Sequence, residues 1–236
     1  MARTKMTRHE LKEQDEITTS LQKLTEFAYT RKKELIIGGS AVLVAVLAVV
    51  GWSLYASNRN TKAQMQLSQA IRIFDDLAKP DKERYERTIA ETQKTLDSYR
   101  SLPVGAIAQY YIAMSQEGLG DTTKAVQNLQ GTIDRGDAAI KGVAQFALAG
   151  IHKKHGEPQK AVEVYKQLYD SGNYSKAAVA YELAVLYEAT DQPSQAKDYY
   201  QKVVSEFPES PFRQSADDAL KRLGAAPIPA PAQKPS

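Results

Sequence analysis

Hydrophobic residues are concentrated in one unbroken stretch near the start of the chain. From Leu35 to Ala56 the sequence reads LIIGGSAVLVAVLAVVGWSLYA and contains no charged residue. As a helix rising about 1.5 Å per residue, it reaches roughly 33 Å, enough to cross a hydrocarbon core of about 30 Å. A surface helix of a soluble domain has a polar face, whereas this stretch is apolar on every face. The pattern therefore predicts a transmembrane helix over residues 35–56.

The charges beside this stretch differ between its two ends. Arg31, Lys32 and Lys33 stand immediately before it, whereas only Arg59 and Lys62 are close behind it. Basic residues remain preferentially on the cytoplasmic side of a membrane span. The asymmetry therefore predicts a cytoplasmic N-terminus and an extracytoplasmic C-terminal part.

Two aromatic residues and the flanking lengths indicate an uncleaved anchor. Trp52 and Tyr55 lie near the far end of the stretch, where amphipathic rings favour the membrane interface. A cleavable signal peptide has a shorter apolar stretch, closer to the N-terminus. Here 34 residues precede the stretch, and no clear small-x-small cleavage site follows it.

The segment before the span, residues 1–34, contains eight Lys or Arg and six Asp or Glu. Leu21, Leu24 and Ala28 recur at helical spacing, which favours an irregular start followed by an amphipathic helix that leads into the span. Two interpretations remain open. The segment is either a solvated stop for the anchor, which is the simpler reading, or a cytoplasmic contact surface.

The region from Thr61 to Gly224 contains a repeat with helical composition. The segments LGDTTKAVQNLQ, HGEPQKAVEVYK and TDQPSQAKDYYQ align with one another at intervals of 36 and 35 residues. The same small residue recurs in these segments and in an earlier, more degenerate copy, at Ala125, Ala161, Ala196 and Ala90. Tetratricopeptide repeats, which are pairs of antiparallel helices, have a period of 34 residues.

Each repeat has the features of a helix pair. Helix A carries a small residue where helix B would cross it, at Ala113, Ala149 and Ala184. A turn-forming residue marks the loop between the two helices, at Gly120, Gly156 and Asp191. Tyr165 and Tyr200 supply the large aromatic residue of helix B, and an amphipathic helix over Ser210–Leu223 would cap the open end.

We therefore predict an all-α fold, with one transmembrane helix followed by a tetratricopeptide-like helical solenoid over residues 57–224. An irregular helical bundle is the alternative. Residues 225–236 are rich in Pro and Ala, which prevents a helix and favours an extended, disordered tail.

The composition argues against several kinds of chemistry. The chain has no Cys, which excludes disulfides, thiolate metal sites and cysteine nucleophiles. His152 and His155 are three residues apart and could share a helix face, but no completing ligand stands nearby at metal-binding spacing. The net charge of +3 is nearly balanced, and the basic residues are not gathered on one helix as nucleic-acid binding would require. We expect no enzymatic activity, no cofactor, no metal and no nucleic-acid partner.

Candidate binding residues recur on helix A, which lines the concave groove of tetratricopeptide solenoids. Three aromatic residues occupy one position of this helix in successive repeats: Tyr110, Phe146 and Tyr181. Neighbouring residues would complete the groove and its mixed-charge rim: Met114, Glu117, Lys153 and Glu188. Aromatic side chains bury much area at little entropic cost, so the three rings are candidates for a strip that holds extended polypeptide. The alternative is that they fill the core.

The layout as a whole resembles a known family. A charged start, a span closing in GW, a helix that continues beyond it and degenerate repeats are similar to the ancillary SecYEG translocon subunit (YfgM-like) family. The resemblance is most specific in GWSLYASNRN and QLSQAIRIF. It implies a single-pass protein of the bacterial inner membrane with a periplasmic repeat domain. The implied partners are the translocon, periplasmic chaperones or exported clients.

Two functions from different classes follow. The first is a translocon-associated binding module that receives exported polypeptide or hands it to chaperones. The second is a structural anchor subunit of an envelope-assembly or cell-division complex, because SEFPESPFRQSADDAL is similar to repeats of such coordinator proteins. The sequence leaves the partner, the organism and the oligomeric state open.

Overall fold

The computed structural model describes residues 30–225, and this part of the chain contains helices and no strand. The helices in chain order are α1 (Lys32–Phe74), α2 (Asp81–Tyr99), α3 (Pro103–Gly118), α4 (Thr122–Arg135), α5 (Ala138–Lys154), α6 (Pro158–Ser171), α7 (Lys176–Ala189), α8 (Pro193–Glu206) and α9 (Arg213–Arg222). The predicted all-α fold class is confirmed. Residues 1–29 and 226–236 lie outside the described residues, and with them the predicted N-terminal helix and nearly all of the predicted tail.

From α2 to α9, each helix packs chiefly against the next helix in the sequence. Helix α3 also touches α5, which is the first helix of the following repeat. The end of α1 contributes Ala63 and Leu67 to a core that they share with Leu96, Val104 and Ile112. Neighbour-to-neighbour packing of this kind is typical of a solenoid, in which each repeat buries its apolar face against adjacent repeats. The predicted solenoid is therefore confirmed over the irregular bundle.

The alanines predicted at the crossings of helix A and helix B lie in the core. In the three clear repeats every predicted small residue is fully buried: Ala113, Ala125, Ala149, Ala161, Ala184 and Ala196. Tyr165 and Tyr200, four residues beyond the alanine of helix B, are also buried. A small residue lets the two backbones approach, and the large ring fills the space beyond the crossing.

The first repeat departs from this prediction, because Ala90 is exposed on α2. The buried positions of α2 include Thr88, Thr92 and Leu96 instead. Helix α2 has 19 residues where α4, α6 and α8 have 14, and its apolar stripe follows a different register. The hydroxyl of Thr88 donates to the carbonyl of Arg84, so this buried polar group is satisfied within the helix. The alignment that placed Ala90 at a helix crossing was wrong.

A left-handed residue turns the chain between the two helices of each clear repeat. Gly120, Gly156 and Asp191 have φ angles of 85°, 74° and 55°. Asp tolerates this conformation better than most residues with a side chain. Pro158 and Pro193 then begin α6 and α8, where the missing N–H needs no partner.

Large apolar side chains of α1 are exposed in the described part of the chain. The described chain divides into two units after Arg59. Within residues 30–225, one helical stretch, Ser40–Phe74, is long and apolar enough to cross a membrane. No residue of its most apolar 18-residue segment is buried. Trp52 is 71% exposed, and Leu54 and Val49 are exposed to a similar degree.

Candidate functional site

The three predicted groove aromatics lie on successive A helices. Tyr110 is on α3, Phe146 is on α5 and Tyr181 is on α7, and each is half-buried. Tyr110 packs against the core of the first clear repeat, whereas Phe146 and Tyr181 pack against the core of the later repeats. Each ring is therefore anchored by the protein and still partly open.

Two of these aromatics form the same arrangement of three rings. Phe146 meets Tyr165 edge-on at 5.3 Å between ring centroids and stacks on Tyr174 at 4.5 Å. Tyr181 meets Tyr200 edge-on at 5.8 Å and stacks on Phe212 at 5.2 Å. In both repeats, the ring of helix A thus lies between a tyrosine of helix B and a ring that precedes the next helix. Such pairs add about 0.5–1.5 kcal/mol to the burial of apolar area.

Tyr110 lacks both of these partners. Leu129 takes the place of the tyrosine of helix B, and Ala138 stands where Tyr174 stands in the next repeat. Within the part of the chain that the structure describes, the one ring in contact with Tyr110 is the adjacent Tyr111, edge-on at 5.5 Å. Burial raises the pKa of Tyr110, and the nearby hydroxyls of Tyr111 and Tyr174 add to this effect. Tyr174 stacks on Phe146 and not on Tyr110.

The tyrosines of helix B are core residues. Tyr165 is 1% exposed, and burial raises its pKa, as it does for Tyr200. The hydroxyl of Tyr200 donates to the carboxylate of Glu188 across 3.0 Å. These rings support the groove aromatics from behind and are not available to a ligand.

Glu117, predicted as part of the rim, lies inside an ion-pair network. Its side chain is 9% exposed, and it accepts hydrogen bonds from Lys154 at 2.8 Å, His155 at 3.0 Å and Thr122 at 3.0 Å. Burial alone would raise the pKa of Glu117, but hydrogen bonds from Lys154, His155 and Thr122 outweigh it and lower the pKa. The network ties the end of α3 to the end of α5.

The other charged rim residues are also paired within the chain. Lys153 contacts Glu182 of α7 at 2.6 Å, and Glu188 contacts Arg222 of α9 at 3.0 Å. Each pair joins one repeat to the helix that begins the next. Met114, on α3 one turn beyond Tyr110, is half-buried. The rim is therefore a series of links between repeats, next to aromatics that remain partly open.

The two histidines of α5 and the loop after it do not converge. His152 contacts Glu157 at 2.6 Å, whereas His155 contacts Glu117 and Thr122. No cluster of three metal-ligating side chains occurs in residues 30–225.

Sequence reasoning missed Tyr174 and Phe212, which cover two of the groove aromatics. Both precede a helix and lie outside the helical repeat pattern, at 28 and 31 residues after the rings that they cover. It also missed a second aromatic surface, where Lys202 lies over the rings of Tyr199 and Tyr169 at 4.6 and 5.5 Å. The spacing of Tyr199 and Lys202, three residues apart on α8, is the signal that points to this contact.

The sequence matches the family "Tetratricopeptide repeat-like domain" over residues 29–225. The chain belongs to this family. Tetratricopeptide repeat-like domains typically serve as protein-interaction scaffolds.

Solved tetratricopeptide structures share this fold at low sequence identity. One holds the nearly identical tetratricopeptide-like repeats of a putative kinesin light chain from Podosopora anserina, with a TM-score of 0.55 and 18% identity over 69% of this chain and 85% of that chain. Another is a tetratricopeptide repeat protein from Parabacteroides merdae, with a TM-score of 0.52 and 14% identity over 68% of this chain and 60% of that chain. No curated protein sequence matches the chain significantly. The likeness to the two structures shows the fold alone.

Proposed function

We propose that this protein is a membrane-anchored scaffold whose repeat domain binds polypeptide outside the cytoplasm. The observation that carries the proposal is the recurrence of Tyr110, Phe146 and Tyr181 on three successive A helices, each ring half-buried. A solenoid builds a binding surface from small patches on consecutive repeats, and an extended polypeptide can follow such a series.

The uncovered apolar helix supports the anchor. In the segment of α1 that includes Trp52, large apolar side chains are exposed along its whole circumference, which in water would be an aggregation hazard. A bilayer removes that hazard. The basic residues Arg31, Lys32 and Lys33 favour a cytoplasmic N-terminus, which puts the repeat domain on the other side of the membrane.

The partners follow from the resemblance to the ancillary translocon subunit family. We infer a single-pass protein of the bacterial inner membrane, with its domain in the periplasm beside the translocon. Its clients would be exported polypeptides, received as they emerge or passed to periplasmic chaperones. Such clients are extended and partly apolar, which is the form that an aromatic strip with a polar rim accommodates.

A structural anchor subunit is the second candidate function. The pairs Lys153–Glu182 and Glu188–Arg222 engage rim charges within the chain, and Tyr174 and Phe212 cover two of the aromatics. These contacts favour a rigid spacer that holds one fixed partner. Tyr110, which has no such cover, favours the binding module.

Photocrosslinking in native membranes tests both functions. A photoreactive phenylalanine analogue replaces Tyr110 or Tyr181 in the full chain, and the exposed Glu163 of α6 is the control position. The binding module predicts adducts with many exported polypeptides from the two groove positions and few from residue 163. A single stoichiometric adduct supports the structural subunit, and equal adducts from all three positions would contradict a groove-specific function.

A further inference from the structure

A pocket of about 450 Å³ opens beside the start of α3 and the end of α4. Its walls combine apolar and charged side chains: Leu102, Pro103, Ala106, Arg100, Arg135 and Asp137. It is separate from the rings of Phe146 and Tyr181, and no predicted groove residue lines it. It therefore offers a binding surface that the proposed function does not use.

The pocket has a local cause in the repeat. One repeat later, a Cβ on Gly142 would overlap the backbone carbonyl of Asn173, so the loop there closes directly onto helix A. Ala106 and Asp137 stand 36 residues before Gly142 and Asn173 and are their equivalents. Because Ala106 carries the Cβ that Gly142 lacks, the equivalent loop cannot close in the same way. The loop is also shorter here, with two residues between α4 and α5 against four between α6 and α7, and both differences distinguish this corner from the next one.

Arg100 and Arg135 are the two cations of the pocket. Arg135 donates to the amide oxygen of Gln109, which is neutral. Within residues 30–225, neither Arg100 nor Arg135 forms an ion pair with a carboxylate, although surface arginines commonly do. The positions equivalent to Arg135 in the next two repeats hold Ser171 and Glu206, so this cation belongs to this pocket alone among the clear repeats.

The acidic groups around the pocket have other hydrogen bonds. Asp137 accepts from the backbone N–H groups of Ala139 and Ile140 and so caps α5. Asp97 and Asp134, on the two helices that end at the pocket, each accept from a glutamine side chain four residues earlier. Arg100 and Arg135 thus line a pocket whose own carboxylate, that of Asp137, is engaged in capping.

We propose that this pocket binds an acidic side chain of a partner polypeptide. The guanidinium groups of Arg100 and Arg135 hold the carboxylate, since paired N–H donors match its two oxygens. Leu102, Pro103 and Ala106 cover the methylene stem. The proposal adds a charge preference to the scaffold and does not require that the aromatic strip bind anything.

Peptide binding to the purified full chain in a non-ionic detergent tests the proposal. The probe is a fluorescent octapeptide of alternating glutamate and leucine, blocked at both ends so that no terminal carboxylate is present. The matched probe has glutamine in place of glutamate. We expect the glutamate peptide to bind the parent at least about tenfold more tightly, which corresponds to about 1.4 kcal/mol.

The variants distinguish an effect of the two pocket arginines on peptide affinity from an effect of the protein's net charge. R100Q/R135Q should lose the preference for glutamate, and R100Q alone, which keeps the contact between Arg135 and Gln109, should lose part of it. K82Q/K94Q removes the same charge from exposed sites of α2 and should keep the preference. Circular dichroism and melting temperature establish that every variant is folded.

Three outcomes would overturn the proposal. Equal affinity for the two peptides excludes a carboxylate-selective pocket, and loss of the preference in K82Q/K94Q assigns the effect to net charge. If excess inorganic phosphate displaces the peptide completely and the peptide's affinity does not depend on its leucines, the pocket is a general anion site. Because the comparison rests on glutamate against glutamine, failure of the aromatic strip to bind clients would leave the result unchanged.

Discussion

The backbone carbonyl of Asn173 lies against Gly142, in the space that a side chain at residue 142 would occupy. This contact brings the loop between α6 and α7 onto helix A of the preceding pair. Asn173 lies one residue before Tyr174, which stacks on Phe146. The absence of a side chain at one position of α5 thus determines where the covering ring of that repeat can lie.

Replacing Gly142 by Ala should therefore destabilise the domain by about 1–3 kcal/mol, because the new methyl group forces the loop outward. Gly150 on the same helix is the matched control, since its nearest atom to a new Cβ is the Tyr165 hydroxyl at 4.0 Å. There, Ala should be neutral or stabilising by up to about 1 kcal/mol through helix propensity. Urea denaturation of both variants measures the difference. Equal stabilities would mean that the loop does not rest on Gly142.

A second pair of substitutions tests the helix crossings. Ala161 is fully buried between α5 and α6, so A161W should cost about 1–3 kcal/mol or more of unfolding free energy. Ala90 aligns with it in sequence but is exposed on α2, so A90W should change stability by less than about 0.5 kcal/mol. Thermal and urea denaturation report both values. A large loss of unfolding free energy in A90W would support the alignment that places Ala90 at a helix crossing and would contradict the structure.

The solenoid could be predicted from the sequence because its repeat period is marked by small residues. Two helix backbones can approach closely only where such residues stand. A bulky residue at Ala125, Ala161 or Ala196 would push two helices apart. The small residue therefore recurs at these positions and can be recognised in the sequence without a structure. The first repeat lost this signal, since α2 buries Thr88 and Thr92 in place of a single alanine. Its longer helix follows a different register, which an alignment based on the 14-residue helices cannot detect.

The sequence identified the three candidate groove aromatics but not the rings that stack on two of them, because those rings lie outside the repeat pattern. Helical periodicity identified Tyr110, Phe146 and Tyr181 but carried no information on Tyr174 and Phe212, which precede helices. Charge pairing across repeats was equally hidden. Glu117 and Lys154 are 37 residues apart, and their contact depends on how the ends of α3 and α5 meet.

The network around Glu117 makes stability depend on pH. Its pKa is lowered in the folded state, so the ionised carboxylate stabilises the fold above the unfolded pKa of about 4.3. This contribution is lost as the pH falls through the folded pKa, where the group is protonated in both states. E117Q should therefore be less stable than the parent by about 1–2 kcal/mol at pH 7.

The difference between E117Q and the parent should shrink between about pH 4.3 and the more acid folded pKa of Glu117. Denaturation midpoints at pH 7, 5 and 3 measure this change. E163Q, at an exposed position of α6, is the control and should match the parent at each pH. A constant difference between E117Q and the parent would show that packing, and not ionisation, accounts for the loss.

The topology prediction depends on the basic residues before the apolar helix. A reporter enzyme that is active only outside the cytoplasm should be active when fused after Ser236 and silent when fused before Met1. Replacing Arg31, Lys32 and Lys33 by Gln should lower the C-terminal activity, because it removes the charge difference that orients the span. The reverse pattern of activity, silent at the C-terminus and active at the N-terminus, would invert the proposed orientation.

The aromatic strip is tested by comparing an open ring with a buried one. Y110A removes a half-buried ring that packs against the core but on which no other ring stacks in the described chain, so the domain should lose less stability than in Y165A. Combined with Y181A, it should weaken capture of the crosslinked polypeptides by at least about tenfold, or roughly 1.4 kcal/mol. Y165A removes a ring that is 1% exposed and should instead cost about 3–5 kcal/mol of stability.

Tyr110 and Tyr181 differ in their ring contacts, so the two single variants distinguish a loss of stability from a loss of binding. Tyr181 touches Phe212 and Tyr200, and Y181A should lower the melting temperature more than Y110A does. If both singles weaken capture at a temperature where both remain folded, the rings contact the client. If Y181A lowers the melting temperature while its folded fraction captures clients normally, and Y110A has no effect on either, the aromatics serve packing alone. The client surface then lies elsewhere on the solenoid.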